Sequence, residues 1–422
     1  MACCSARPLS HKISRDVHMY NAAFTNQTLR SRTNITFCSS SLSLSGHPMA
    51  CCPTNPLSHA TPFAFTSVGP HLAKTRFKTT KCVLNRSASR SLSATTLTSN
   101  PITTTTFTWD DVVRISNPGY ALDDSSDLSG FFDKVKVCNR GVEKKSEFVP
   151  FVIDGQIVGY LHNGFVEHLR NYQDVFVLPQ RINGSQIGNH VTLNPELKTP
   201  DDRTRAVGEV IGSLGEDIIP GIRNELYPVT SSYGASVFFS LERAAAPYFG
   251  IKAYAIHLNG FEERDGQQFL WTAKRSRVKP TYPGMLDHLV AGGLPHGIAC
   301  GENLLKECEE EAGIPRSISR RAIPVGGVSY MNIDGHRYER DVLFCYDLKL
   351  PQGFMPNNQD DEVESFKLIP VTHVADIVRR TNLFKPSCCL VIIDFLFRHG
   401  YIIPEHSGYL DLLQSLRSGE CS

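Results

Sequence analysis

Regular alternation of apolar and polar positions begins only after Thr108, at Trp109-Asp110-Asp111-Val112-Val113. Over residues 148–161 (FVPFVIDGQIVGYL) two apolar runs flank Asp154-Gly155, which predicts two short strands around a turn. Residues 165–170 predict the opening of a helix, 175–178 a short strand, and 199–214 a helix with an acidic first turn. Together they predict a small α/β domain over residues 108–245. Two apolar runs, 250–258 and 268–273, are separated by Gly260 and Gly266 and predict a hairpin. After a Gly- and Pro-containing stretch over 283–297, the charged segment 301–312 predicts a helix ended by Gly313 and Pro315. Strands are expected over 323–330, 338–348 and 363–369, and an apolar helix over 386–399 packs on the sheet they form. The second domain therefore spans residues 246–405, with 406–422 as a tail.

Composition changes the picture at the N-terminus. The 422-residue chain is 41% hydrophobic and 20% charged, with formal charge +1. Up to Trp109, however, Asp16 is the only acidic residue against eleven basic ones, which leaves 32 basic and 41 acidic residues for the rest. An acid-poor leader dense in Ser and Thr without a continuous apolar core reads as an organelle transit peptide over 1–107, disordered in itself. The chloroplast is the expected destination, with the mitochondrion as the alternative. The acidic body offers no basic footprint for nucleic acid. No apolar run is long enough to span a membrane. The cysteines outside the leader show no C-x-x-C spacing, so neither a zinc site nor a disulfide framework is indicated.

The chemistry is concentrated in residues 292–314, GGLPHGIACGENLLKECEEEAGI. On a helix, Glu307, Glu310 and Glu311 stand at i, i+3 and i+4, so three like charges share one face. Such a run alone is usually a solvated surface. Hard oxygen donors in that number also suit Mg²⁺ or Mn²⁺. The glycine-rich entry lets the backbone turn tightly and bring helix N-terminal amides toward an anion.

The segment resembles the Nudix box, G-x5-E-x7-R-E-U-x-E-E-x-G-U, in which U is a bulky apolar residue. Its glycines fall on Gly292 and Gly313, its core on Glu307, Cys308, Glu309, Glu310 and Glu311, and its final apolar residue on Ile314. Two positions depart from it. Ile298 stands where the family has its first Glu, and Lys306 where it has Arg. Lys306 neutralises Glu307 as a point charge but lacks the bidentate fork. Glu302, about 140° off the ligand face, is expected to pair with Lys306 at i+4. Segments such as FFSLERAAAPYFGIKAYAIHLNGF (238–261) extend the likeness over about 108–402, toward plant chloroplastic members of the superfamily. Their N-terminal domain is of thiamin pyrophosphokinase-related type.

The resemblance implies a Nudix α/β/α sandwich preceded by a smaller α/β domain. It also implies metal-dependent hydrolysis of a diphosphate bond in a nucleoside-diphosphate-like or damaged thiamin-diphosphate-like small molecule. Glu307 and Glu311 would bind the metal, with Glu310 sharing the site or deprotonating water. The alternative is a weakly catalytic binding or regulatory module with the same fold. No G-x-x-x-x-G-K-[ST] loop supports kinase chemistry. Weaker candidates are Glu362, in the acidic cluster with Asp360, Asp361 and Glu364, as an extra metal ligand or base, and Lys274 and Arg275 for substrate phosphate. Trp271, Tyr282, Tyr330 and Phe354 are candidates for ring stacking, and His296 for the leaving phosphate. The pocket is expected between the two domains.

Overall fold

The computed structural model describes residues 107–117, 119, 124–182 and 185–419, so the expected leader lies outside the described residues except for Phe107. The central element is the strand Lys252–Arg264, turned at Asp265-Gly266, whose φ values of 50° and 77° are left-handed. It pairs antiparallel with Gln267–Arg275 only over 261–264 and 267–270. Below that the hairpin opens, and the short strand Val290–Gly293 fills the gap by pairing with residues 255–258. On the other side Lys252–Arg264 pairs in parallel with Arg337–Lys349, itself in a hairpin with Ile323–Asp334. Leu286–Asp287 and Val363–Pro370 complete a seven-stranded mixed sheet on the flanks of Gln267–Arg275.

Helices cover both faces. The helix Cys300–Ala312 places Leu304, Cys308 and Ala312 along one stripe and buries them in a cluster with Ile256, Leu258 and Leu348. The opposite face holds Val371–Arg380 and Pro386–Arg398, the second with a buried run from Ser387 to Phe397. The result is the expected α/β/α sandwich.

A second apolar cluster gathers Phe151, Phe165, Phe239 and Phe249 with Val207, Val210 and Ile211 of the helix Pro200–Ile218. The hairpin Phe148–Ile153 and Gln156–His162 turns at Asp154-Gly155, both at positive φ, as the sequence suggests. Its Gly159 cannot carry a side chain, because a Cβ would stand 2.2 Å from the carbonyl oxygen of Phe249. Two regions pack differently from expectation. Phe107, expected in the leader, and Val112, Ile115, Leu128, Phe131 and Val135, expected in the N-terminal domain, share a cluster with the C-terminal helices Val371–Arg380 and Pro386–Arg398. The tail is also structured, with the helix Tyr409–Ser415 burying Leu412.

Candidate active site at the box helix

Local sequence fixes the position of the charged helix. Gly313 ends it in a left-handed conformation, φ 60°, while the Ile314 N–H reaches the Cys308 carbonyl at 2.8 Å. Asn303, fully buried, donates from Nδ2 to the Gly293 carbonyl at 2.8 Å and ties the helix to the strand Val290–Gly293. Gly292 is required by proximity, since a Cβ there would meet the Glu307 carboxyl carbon at 2.5 Å. The box glycine thus makes room for the box glutamate.

The three carboxylates differ in environment. The Glu311 side chain is buried and accepts the Ala291 N–H at 2.8 Å; no ion pair offsets its charge among the described residues. Burial pushes its carboxyl well above the usual carboxylate range, and Glu307 adds to the shift. Glu307, with 14% of its side chain exposed, is raised as well, first by burial. Lys306 Nζ lies 3.3 Å from Glu307 and 2.7 Å from the exposed Glu310. Glu302 does not pair with Lys306 as expected. It bonds Arg316 at 3.2 Å, which also takes Glu309 at 2.9 Å, because both glutamates point away from the box face. One ammonium therefore pairs with two of the three carboxylates and leaves the buried Glu311 without an ion pair among the described residues. An all-oxygen set short of positive charge fits a hard divalent cation.

A cavity of about 610 Å³ opens beside Gly292 and Gly293, within the usual range for small-molecule sites. Its walls come from both apolar clusters' elements: Arg223, Tyr227 and Arg243 on one side, Tyr330, Asp341 and Lys385 on the other. Tyr227 and Arg243 close over the box strand, where a Cβ at Gly293 would overlap the tyrosine hydroxyl at 1.9 Å. Arg243 pairs with Glu225 at 2.6 Å and lies over the Tyr227 ring at 5.5 Å. No local sequence signal marks these residues, since their relevance arises only from contact across the chain.

The weaker candidates divide. Tyr282 and Tyr330 line the cavity. Trp271 is buried and donates to Glu262 at 3.1 Å, and Phe354 packs on the core beneath the box helix. Lys274 is buried against Glu364 at 3.0 Å and the Phe107 carbonyl, and Arg275 is held by Asp287 at 2.5 Å and the Thr281 carbonyl. Neither reaches the cavity wall, because internal acceptors engage both. Glu362 pairs with Lys279, yet its charge is felt by Glu307 and Glu311. His296 is held at Nδ1 by Ser240 Oγ at 2.6 Å. One cluster had no sequence signature: buried His257, His288 and Cys388 offer ligand atoms within 4.8 Å of one another. Asp287, bonded by Cys388, is also paired with Arg275 and lies 3.8 Å from the Lys385 ammonium, and these two cations oppose a metal there.

The sandwich, the glycine-gated helix and its carboxylate face define a Nudix-type hydrolase. The NUDIX domain family matches residues 254–386, and a domain of unknown function, DUF4743, matches 130–253. "Nudix hydrolase 20, chloroplastic" of Arabidopsis thaliana is 63% identical over 338 residues, 79% of this chain and 88% of the relative. "Nudix hydrolase 24, chloroplastic" of the same plant is 62% identical over 335 residues, 79% of this chain and 89% of the relative. An uncharacterized protein of Saccharomyces cerevisiae is 38% identical over 210 residues, 46% of this chain and 60% of its own length. The chain belongs to the Nudix hydrolase family. That family acts on diphosphate-containing substrates and generally uses divalent ions such as Mg²⁺ or Mn²⁺. No helix among the described residues is long and apolar enough to cross a membrane.

Proposed function

We propose that this protein is a plastid diphosphatase that cleaves a nucleoside-diphosphate-like or damaged thiamin-diphosphate-like compound, with Mg²⁺ or Mn²⁺ held by Glu307, Glu311 and Glu310. The observation carrying the reading is the pair of desolvated carboxylates, Glu307 and Glu311, held against Gly292 and Ala291, which line the cavity. A bound divalent ion supplies neutralisation of the diphosphate oxygens and a more acidic water. The Ala291 N–H fixes the orientation of Glu311, and Lys306 restrains Glu307 and Glu310. Glu310, the most exposed of the three, takes the proton from the attacking water, and a phosphate-bearing product leaves. Arg243, over the box strand, holds a phosphate oxygen, and the N-terminal unit covers the organic moiety.

A weakly catalytic binding module is the second reading, favoured by Ile298 and Lys306 at two box positions. Product release from a panel of diphosphates with Mg²⁺, with Mn²⁺ and with chelator separates the two. Metal-dependent turnover supports the diphosphatase, and metal-dependent binding without turnover supports the module. The plastid assignment rests on the leader's composition and on relatives named chloroplastic. A reporter fused to residues 1–108 that stays in the cytosol would overturn it.

A further inference from the structure

Beside the box strand, the cavity is walled by hydrogen-bond donors that the hydrolytic chemistry leaves unassigned. His257 pairs across the strands with Ala291, whose N–H holds Glu311, and it lines the cavity. The helix Pro386–Arg398 contributes its first turn to the same cavity, with Lys385 as N-cap and Ser387 two positions on. The two elements meet, since ligand atoms of His257, His288 and Cys388 all lie within 4.8 Å of one another.

The neighbours of His257 fix its tautomer. Its Nδ1 lies 3.0 Å from Nδ1 of His288, so one ring donates and the other accepts. Both rings are buried, and burial lowers the pKa of each, that of His288 to about 4. Both imidazoles are therefore neutral at pH 7. Asp287 Oδ1, 4.0 Å from His288 Nδ1, favours the shared proton on His288. The reverse arrangement would seal an N–H at His288 Nε2, which has no partner, and an orphaned buried donor is rarer than an orphaned lone pair. His288 thus donates to His257, whose own proton sits on Nε2. That N–H makes no hydrogen bond among the described residues.

Two further donors are unspent. Ser387, 8% exposed, makes no hydrogen bond through Oγ or its N–H among the described residues. Lys385 caps nothing with its side chain, and its Nζ forms no hydrogen bond among the described residues; its ion-pair partner, Asp287, is 3.8 Å away. That carboxylate is already filled by Arg275 at 2.5 Å, the His288 N–H at 2.8 Å and the Cys388 thiol at 2.7 Å. Glu339 and Asp341, also on the cavity wall, are engaged by Arg337 at 2.6 Å and by the Tyr330 hydroxyl. An ammonium, an imidazole N–H, a hydroxyl and a helix amide, all sheltered and unpartnered, are unfavourable until an oxyanion completes them.

We propose that His257, Lys385, Ser387 and the first turn of Pro386–Arg398 form a phosphoryl subsite that holds one phosphate of the substrate and also binds free orthophosphate. Its role with substrate rests on the diphosphatase reading. The subsite lies one strand, about 4.8 Å, from Ala291, so a phosphate seated there is next to the residue that anchors Glu311. Lys385 supplies the charge, and the neutral His257 and Ser387 direct the oxygens.

Orthophosphate binding is measured by calorimetry in chelator on the full chain, with melting curves to confirm that each variant folds. Lys385→Met should weaken binding at least about tenfold, and Ser387→Ala and His257→Phe at least about threefold each, as expected for bonds to a charged acceptor. Arg223→Gln removes the same unit charge elsewhere on the cavity wall and should change binding by less than about twofold. A parent that binds no orthophosphate, a folded Ser387→Ala that binds it as the parent does, or an equal loss in Arg223→Gln overturns the subsite. Orthophosphate binding with this variant pattern, but without Mg²⁺-dependent cleavage of any diphosphate, sinks the diphosphatase reading and leaves the subsite standing. Cleavage that orthophosphate does not inhibit and that Ser387→Ala leaves unchanged does the reverse.

Discussion

Replacing Glu311 by Gln keeps size and helix propensity but removes one anion from the box face. The parent side chain is buried, accepts the Ala291 N–H at 2.8 Å and has no ion pair among the described residues, so its carboxyl is pushed well above the usual range, first by burial. A carboxyl with a folded pKa above its unfolded value contributes stability at low pH that is lost as pH rises through the folded value. In chelator at pH 8, Glu311→Gln should therefore melt at or above the parent temperature. Metal reverses the order. At one hundred times Kd, Mg²⁺ stabilises the parent by about 2.7 kcal/mol, and the variant should gain little of this. Turnover should fall at least about 10²-fold, because the metal supplies several kcal/mol and each tenfold is about 1.4 kcal/mol. Glu302→Gln and Glu309→Gln are the controls, since both side chains pair with Arg316 away from the box face. The assay is melting with and without Mg²⁺ beside steady-state product release. A folded Glu311→Gln that keeps turnover within about twofold and the same Mg²⁺-dependent melting shift would refute the assigned role.

Asp341→Asn should be more stable than the parent above pH 6 and lose that advantage below pH 4. Its carboxyl is raised from 3.8 to about 6, first by burial, so the gain has an upper bound of about 3 kcal/mol; urea melts at pH 5 and 8 check it, and a parent more stable at pH 8 contradicts it. Arg243→Gln should lower kcat/KM by about 10- to 100-fold, the worth of one charge-assisted bond to phosphate, and unchanged kinetics would remove Arg243 from the site. Lys306→Arg should leave activity equal or higher by gripping Glu307 through two bonds, whereas a large loss would show that the point charge matters more than the fork. A chain starting at Ala246 should fail to fold, because it lacks Phe107, Val112, Phe131 and Val135 from the cluster under Pro386–Arg398; a cooperative melt of that fragment would count against this.

The sequence by itself determined what depends on local periodicity and spacing. Glu307, Glu310, Glu311 and Gly313 could be placed because helix geometry converts i, i+3 and i+4 into one face and because a glycine terminates the helix in a left-handed turn, and Gly292 through the resemblance to the Nudix box. The hairpin at Asp154-Gly155 was legible for the same reason. Tertiary structure alone decided which of those carboxylates is desolvated, that Glu302 pairs with Arg316 and not Lys306, and that Lys274 and Arg275 are engaged internally. It also assigned Phe107, Val112, Ile115, Leu128, Phe131, Val135 and Cys138 to the core beneath the C-terminal helices, although they precede the N-terminal cluster in the chain. Tyr227, Arg243 and Asp341 meet around one cavity only through strand register and contacts between distant segments. Burial and unpaired charge are properties of such long-range contacts, and no window of sequence contains them.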